Sequence, residues 1–524
     1  MKGRLKKIVA VILTLAMAFS LCSVVSFAAT ADNVVQYQTY TSLGDSAVAG
    51  YGLPGWEEMK EKYAVWGEDA VDLDVRDGIS TLNSLAIDEA SKLVEGTPEY
   101  QAVFDNLKNA KMEELGDDLV SHWHATDFTR LHEVRGTYAS AIAAAVGASE
   151  EEDTFHHYAQ CAFRTEELLM LLDKSYKGDS EELVNIAGGM SNGSFDYDNL
   201  LKIQADETYI KAIQNSNLIT MSIGANDIYV PILGTVMTDL VKLLVEAAQE
   251  QGQTTSEEEA QIQAAEAIST NDTETLEQAA EYAENVELGT ATEAEQAEAI
   301  ETLEDTAGSD EIDANNEASA MQAIAGLIAM IAIKNPTYPI KIMNLALQCE
   351  VNYRINFTKI VNRIFAINPN VTLVVPSYTM NYAGFGELGN ILKVVFAEMN
   401  LFVKARPNYN GHFITVNLPD DELSFVDISH PDEDGHALIA ETILNALPTR
   451  EKSNGTKLSI GANGKWYTYT NGVFDSSCNG IYSNAFGKWY VKNGAVDYTK
   501  YAVREKIDGT TYRIVAGKAS KRII

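Results

Sequence analysis

Apolar positions recur along the chain with two periods, one of two residues and one of about 3.6, and the alternation between them outlines the elements. Gln36–Leu43 alternates and ends in a glycine turn, as a strand does when it delivers the next residue to a sheet edge. Short apolar runs of strand type follow at Glu182–Ala187, Leu218–Ile223, Val371–Pro376 and His412–Leu418. The Val371–Pro376 run is rich in β-branched residues and bounded by Asn368-Pro369-Asn370. Helical patterns lie between them at Tyr138–Val146, Thr165–Leu172, Ile355–Ile367 and Leu438–Leu447. Residues 57–135 read as mainly helical and polar, with a cap at Thr97-Pro98-Glu99. Strands alternating with helices predict the α/β class: a doubly wound, mainly parallel sheet carrying helical insertions.

Beyond a polar, proline-containing boundary at Pro448–Thr456 the pattern changes and repeats. Gly464-Lys465-Trp466-Tyr467 recurs as Gly487-Lys488-Trp489-Tyr490, and Asn471-Gly472 recurs as Asn493-Gly494. Gly509-Thr510-Thr511-Tyr512 is a degenerate third copy. A Trp-Tyr strand followed by an Asn-Gly turn predicts a β-hairpin. Repetition at so short a period predicts stacked hairpins that bury their aromatics against one another over 455–524.

The first 31 residues stand apart from the fold. Lys2, Arg4, Lys6 and Lys7 precede an apolar run from Ile8 to about Phe27, and small residues cluster at Ala28, Ala29 and Ala31. This is the form of a cleaved signal peptide over 1–31. Leu21 before Cys22 is too bulky for a lipid-modified cysteine. The closest later apolar stretch, Ala320–Ile333, is short for a bilayer span, so no integral membrane segment is expected after cleavage. Cys161, Cys349 and Cys478 are widely spaced, with neither a disulfide framework nor a Cys-x-x-Cys zinc pair. At 524 residues the chain is long enough for the signal segment, a hydrolase-sized domain, 32–449, and the small repeat domain.

The net charge of −36 suggests a cationic partner until its location is considered. Residues 243–333 hold 22 Asp or Glu and no Lys or Arg, so most of the excess lies in an Ala/Glu-rich insert at about 247–320. The last 70 residues hold 11 Lys or Arg against 4 Asp or Glu. An acidic insert with a basic tail removes the electrostatic case for nucleic acid as a partner.

Chemistry gathers at three places. Ser46, in Leu43-Gly44-Asp45-Ser46-Ala47, follows the first strand, where a hydroxyl is exposed at the carboxyl edge of the sheet. A serine nucleophile needs a base, and the base needs an orienting group. Asp427-Ile428-Ser429-His430-Pro431 supplies both: Asp427 lies close enough to fix the tautomer of His430, and Pro431 stiffens the loop. His436 is expected inside the following helix, facing the core. Acyl transfer also needs oxyanion donors. Gly224-Ala225-Asn226-Asp227, after Leu218–Ile223, puts the Asn226 amide at the same edge as Ser46. Two other patterns carry less. Gly189-Met190-Ser191-Asn192-Gly193 fits Gly-x-Ser-x-Gly but lacks the following helix. His122-Trp123-His124 with His132 has no placed carboxylate to complete a metal site. The proposed chemistry needs no metal and no cofactor.

In this order the three segments resemble the GDSL or SGNH hydrolase family, over roughly residues 36–447. The resemblance implies a three-layer SGNH/flavodoxin-like sheet, with Ser46 as nucleophile, His430 as general base and acid, and Asp427 as its orienter. It implies an oxyanion hole of the Ser46 backbone N–H, the Asn226 side chain and one glycine N–H. Where that glycine is usual, in Ala159-Gln160-Cys161-Ala162-Phe163-Arg164-Thr165-Glu166-Glu167-Leu168, this chain has Ala162. Ala162 can still donate if its φ is negative; a positive φ would strain the turn. Gly189, in Asn185-Ile186-Ala187-Gly188-Gly189, is the alternative donor. The implied activity is hydrolysis of carboxylic esters, of an acylated glycan or a lipid, through an acyl-serine intermediate. The tail resembles cell-wall-binding repeats of Gram-positive bacteria, which implies a secreted or wall-associated protein with a cell-wall polymer as partner. A non-catalytic wall-binding or adhesion protein that retains a hydrolase fold is the competing expectation, favoured by Ala162 and the long inserts.

Overall fold

The computed structural model describes residues 37–62, 71–72, 75–76, 79, 93–94, 96–115, 132–178, 180–190, 195–250, 337–382, 386–419, 422–427, 429–448 and 455–521. Five strands form one all-parallel sheet: β1 (Tyr40–Gly44), β2 (Phe155–Ala159), β3 (Leu218–Ser222), β4 (Thr372–Pro376) and β5 (Phe413–Val416). Their order is β2-β1-β3-β4-β5. From β1 the chain steps outward to β2, then crosses back to β3 on the other side. Such a reversal opens a crevice beyond the carboxyl ends of the two strands that flank it, here β1 and β3.

Side chains alternate between two cores. Leu43, Ile219, Met221, Leu373 and Val375 join one, with the helices Thr165–Leu172, Ala225–Glu250, Tyr338–Ile367 and Gly386–Lys404. Tyr40, Leu218, Val374 and Val416 face the other, with the helices Tyr138–Val146 and Glu433–Ala446. Burial on both faces explains why these strands read as short continuous apolar runs.

Two elements differ from the sequence reading. β2, Phe-His-His-Tyr-Ala, is a buried strand that the hydrophobic pattern does not announce. His157 is accommodated there because its one ring N–H can donate to a backbone carbonyl, the two ring nitrogens lying 3.3 Å and 3.2 Å from the carbonyl oxygens of His132 and Val48. Burial pushes its pKa down to about 4, so the ring stays neutral. Glu182–Ala187, expected as a strand, is part of the helix Glu181–Met190. Over six residues a buried run fits either period, and here Val184 and Ala187, one turn apart, are buried in the same core. Tyr138–Val146 and Thr165–Leu172 are helices over those spans, and the other expected strands and helices between β1 and Leu447 are present among the described residues with shifted ends. The helix ending at Ile367 begins at Tyr338, and Asp432 caps the helix Glu433–Ala446 by accepting from the Gly435 N–H at 2.8 Å. Thr97 caps Pro98–Leu115, its hydroxyl accepting from the Tyr100 N–H at 3.2 Å.

The carboxyl-terminal region is a nine-stranded antiparallel sheet: β6 (Thr456–Ile460), β7 (Trp466–Thr470), β8 (Val473–Phe474), β9 (Gly480–Asn484), β10 (Gly487–Lys492), β11 (Ala495–Val496), β12 (Ala502–Ile507), β13 (Thr510–Val515) and β14 (Lys518–Lys521). Asn471-Gly472 joins β7 to β8 and Asn493-Gly494 joins β10 to β11, with positive φ at both residues of each pair, as a tight hairpin turn of right-handed strands requires. Trp466 packs on Phe486 at 5.5 Å between ring centroids, linking the first repeat to the second. This sheet meets the α/β domain at the amino-terminal end of the parallel strands. The Ala462 N–H donates to the Pro369 carbonyl at 2.8 Å, Asn410 donates to the Gly461 carbonyl at 3.0 Å, and the His412 ring lies 3.2 Å from the Ile460 carbonyl.

No helix among the described residues is long and apolar enough to cross a membrane. The signal-like segment 1–31, His122-Trp123-His124, Ser191–Gly193 and most of the acidic insert lie outside the described residues, as does part of 57–135.

Candidate active site

Gly44 ends β1 where no other residue fits: a Cβ there would lie 2.2 Å from a Val48 methyl and 2.3 Å from the Ser222 carbonyl. Asp45 then caps the short helix Ser46–Ala49, its side chain accepting from the Ala47 N–H at 3.2 Å. A capped turn and a serine presented at the sheet edge are therefore the same local structure. In register, Gly44 lies opposite Ala159 of β2 and Ser222 of β3. Ser46, Ala162 and Asn226 thus follow three adjacent strands just beyond their paired ends, at the crevice of the topological switch.

The loop after β5 closes over that point. His430 is 2% exposed; its Nε2 lies 2.8 Å from Ser46 Oγ and its Nδ1 2.7 Å from Asp427 Oδ2. The other Asp427 oxygen accepts from the backbone N–H groups of Ser429 and His430, each at 2.7 Å. One carboxylate thus holds both the ring and the loop that carries it. Burial pulls the Asp427 pKa up, but the hydrogen bond and charge of His430 and the two backbone donors outweigh it and leave the group below its ordinary value. An ionised Asp427 accepts only, so Nδ1 carries the proton and Nε2 is the lone pair facing the serine hydroxyl. The Tyr51 ring packs on the imidazole, with centroids 5.0 Å apart.

His436 is buried in the helix Glu433–Ala446, its Nδ1 accepting from the Tyr138 N–H at 3.2 Å. Burial pushes its pKa down to about 3. It faces the core, as expected.

Asn226 is buried, and its amide donates to the Phe163 carbonyl at 3.2 Å, which brings it against the peptide that follows Ala162. A primary amide has two hydrogens, so one can hold Phe163 while the other faces an oxyanion. Ala162 has φ 61°, in the left-handed region. Of the two alternatives for its backbone, the strained one holds, at a cost of about 1–2 kcal/mol for an L-residue with a side chain. The turn is anchored regardless: the Gln160 N–H donates to the Gly44 carbonyl at 3.0 Å and the Phe163 N–H to the Gln160 carbonyl at 3.2 Å. Gly189, the alternative donor, lies inside the helix Glu181–Met190, where backbone N–H groups serve the helix's own ladder.

The next residue was quoted in the motif but given no role in the sequence reading. Asp227 is buried, and its carboxylate accepts from the Thr165 N–H at 2.8 Å and from the Thr165 hydroxyl. Its position directly after Asn226 was the available signal; its partner, 62 residues earlier in sequence, could not be read from spacing. Beside it, Arg164 and Glu167 form a buried ion pair that caps Thr165–Leu172. Among the described residues no group of three or more His, Cys, Asp or Glu side chains could hold a metal; His132 lies 3.7 Å from the Glu150 carboxylate.

Hydroxyl, imidazole and carboxylate in one hydrogen-bonded line, beside converging amide donors, can move a proton from an alcohol and receive negative charge on a neighbouring oxygen. Comparisons with protein-family models, curated proteins and solved structures return no match.

Proposed function

We propose that this protein is a secreted serine ester hydrolase of the GDSL or SGNH type. The observation that carries the reading is His430, which bridges Ser46 Oγ at 2.8 Å and Asp427 Oδ2 at 2.7 Å from a site 384 residues away from the serine. His430 takes the Ser46 proton as the hydroxyl attacks the ester carbonyl. The tetrahedral oxyanion is received by the Ser46 backbone N–H and the Asn226 amide, and by the Ala162 N–H, which the positive φ strains but does not remove. His430 then protonates the leaving alcohol, and water repeats the sequence on the acyl-serine. The intact relay counts against the non-catalytic reading, since a scaffold has no use for a serine, histidine and carboxylate held in line. The order of the strands and the placement of the site at the switch agree with an SGNH-type fold.

The substrate is an acylated glycan or a lipid ester. The signal-like start supports export, and the basic aromatic repeats support attachment to a cell-wall polymer. Hydrolysis of p-nitrophenyl esters of increasing chain length tests the activity and separates acetylesterase from lipase. Ser46→Ala is expected to abolish turnover; equal rates in wild type and variant would refute the reading.

A further inference from the structure

Two of the three oxyanion donors lie on separate segments, Ala162 on the turn after β2 and Asn226 in the first turn of the helix Ala225–Glu250 after β3, and neither turn is paired in the sheet. We infer that Asp227 is a positioning residue that locks these two turns together through Thr165. Its carboxylate is buried and accepts from both the backbone N–H and the hydroxyl of Thr165, the first residue of the helix Thr165–Leu172 and three residues after Ala162. Asn226, its neighbour in sequence, reaches back to the Phe163 carbonyl at 3.2 Å. The two contacts cross between the same pair of turns, so neither turn can shift without breaking one of them. A displacement of about 1 Å at a reacting centre costs on the order of a hundredfold in rate, which gives such a clamp kinetic weight.

A buried carboxylate is a costly choice for a purely structural tie. Burial pushes Asp227 up to about 7, against the two Thr165 hydrogen bonds and the Arg164 charge, which lower it, and with Glu167, which raises it. Cys349 and Tyr353, from the helix Tyr338–Ile367, have pKa values raised first by burial and then by the Asp227 charge, with Glu350 raising Tyr353 further. An amide in this place would avoid that cost, but it has a single oxygen and could not accept both Thr165 donors on separate atoms. Two acceptor oxygens on one rigid plane are what the bridge requires.

The inference rests on the serine-hydrolase reading, and the test separates the two. Full-length protein is titrated to completion with a fluorophosphonate, and p-nitrophenyl acetate turnover is expressed per titrated serine. In Asp227→Asn, kcat per titrated site is expected to fall by roughly tenfold to a hundredfold with KM unchanged. A merely structural role would lower the titratable fraction and leave kcat per site alone. Thr165→Val, which removes only the hydroxyl donor, is expected to lose part of the same rate, and Thr165→Ser to retain wild-type turnover. These two variants decide the matter if Asp227→Asn does not fold. A second readout follows from linkage. A carboxyl whose folded pKa is raised holds its proton more tightly than the unfolded chain does, so wild-type stability relative to Asp227→Asn falls as pH rises from about 4 through about 7. Unchanged kcat per site in Asp227→Asn or in Thr165→Val overturns the inference while leaving Ser46 catalysis standing. Absence of fluorophosphonate labelling and turnover in the wild type would overturn the serine-hydrolase reading itself.

Discussion

Asp427→Asn separates the two tasks of a single carboxylate. Asp427 Oδ1 holds the loop through the N–H groups of Ser429 and His430, and Oδ2 holds the imidazole. Asparagine can keep its oxygen on the two backbone donors, so the loop keeps its shape. The amide nitrogen then faces Nδ1, and because it only donates, Nδ1 must accept. The ring proton moves to Nε2, 2.8 Å from Ser46 Oγ, where a lone pair is needed. The base is present but in the wrong tautomer. Such a reversal costs about 10⁴-fold in kcat, or ~5.4 kcal/mol of transition-state stabilisation. Stability falls less, because the three charge-assisted hydrogen bonds to Asp427 are exchanged for neutral ones and not lost, at a cost of about 1 kcal/mol each. Steady-state kinetics with p-nitrophenyl acetate, beside a thermal melt, measure both. A variant that melts like the wild type and keeps kcat within about tenfold would refute the relay, since a wrong tautomer cannot be that mild.

Ala162→Gly relieves about 1–2 kcal/mol of left-handed strain, offset by ~0.8 kcal/mol of lost methyl burial and about 0.4–1 kcal/mol of added unfolded-state entropy. Urea unfolding is therefore expected to show a change under about 1 kcal/mol with turnover preserved, and a loss beyond about 2 kcal/mol would contradict the strain argument. In the tail, Phe486 and Tyr501 are 65% and 67% exposed, and replacing both with alanine is expected to weaken sedimentation of the full chain with purified cell walls. Ester turnover in that variant should match the wild type; unchanged sedimentation would count against wall attachment through these rings.

How far the fold could be read depended on where each element's partners lie. Leu218–Ile223 and Val371–Pro376 announced themselves because strands buried on both faces are locally apolar, and β3 and β4 occupy nearly those spans. Phe155–Ala159 did not, because His156 and His157 are sheltered by long-range burial, and His157 also by carbonyls elsewhere in the chain. Ser46 and Asn226 were readable because each follows a strand end within a few residues, and Asp427 and His430 because they lie three residues apart on one loop. The sign of φ at Ala162 was not readable, since it is set by packing around the turn and not by the residue. Thr165 escaped notice for a related reason: its contact with Asp227 exists only once two crossovers have been folded.

The tail touches the α/β domain through Pro369, Asn410 and His412, which precede β4 and β5, whereas Ser46, Asn226 and His430 follow the strands. The tail and the Ser46–His430 pair thus lie at opposite ends of the parallel strands. A protein tethered by its tail would turn its cleft outward, toward esters arriving by diffusion or carried on a neighbouring layer, and away from the polymer it grips. The tether would then set where hydrolysis happens without choosing what is hydrolysed.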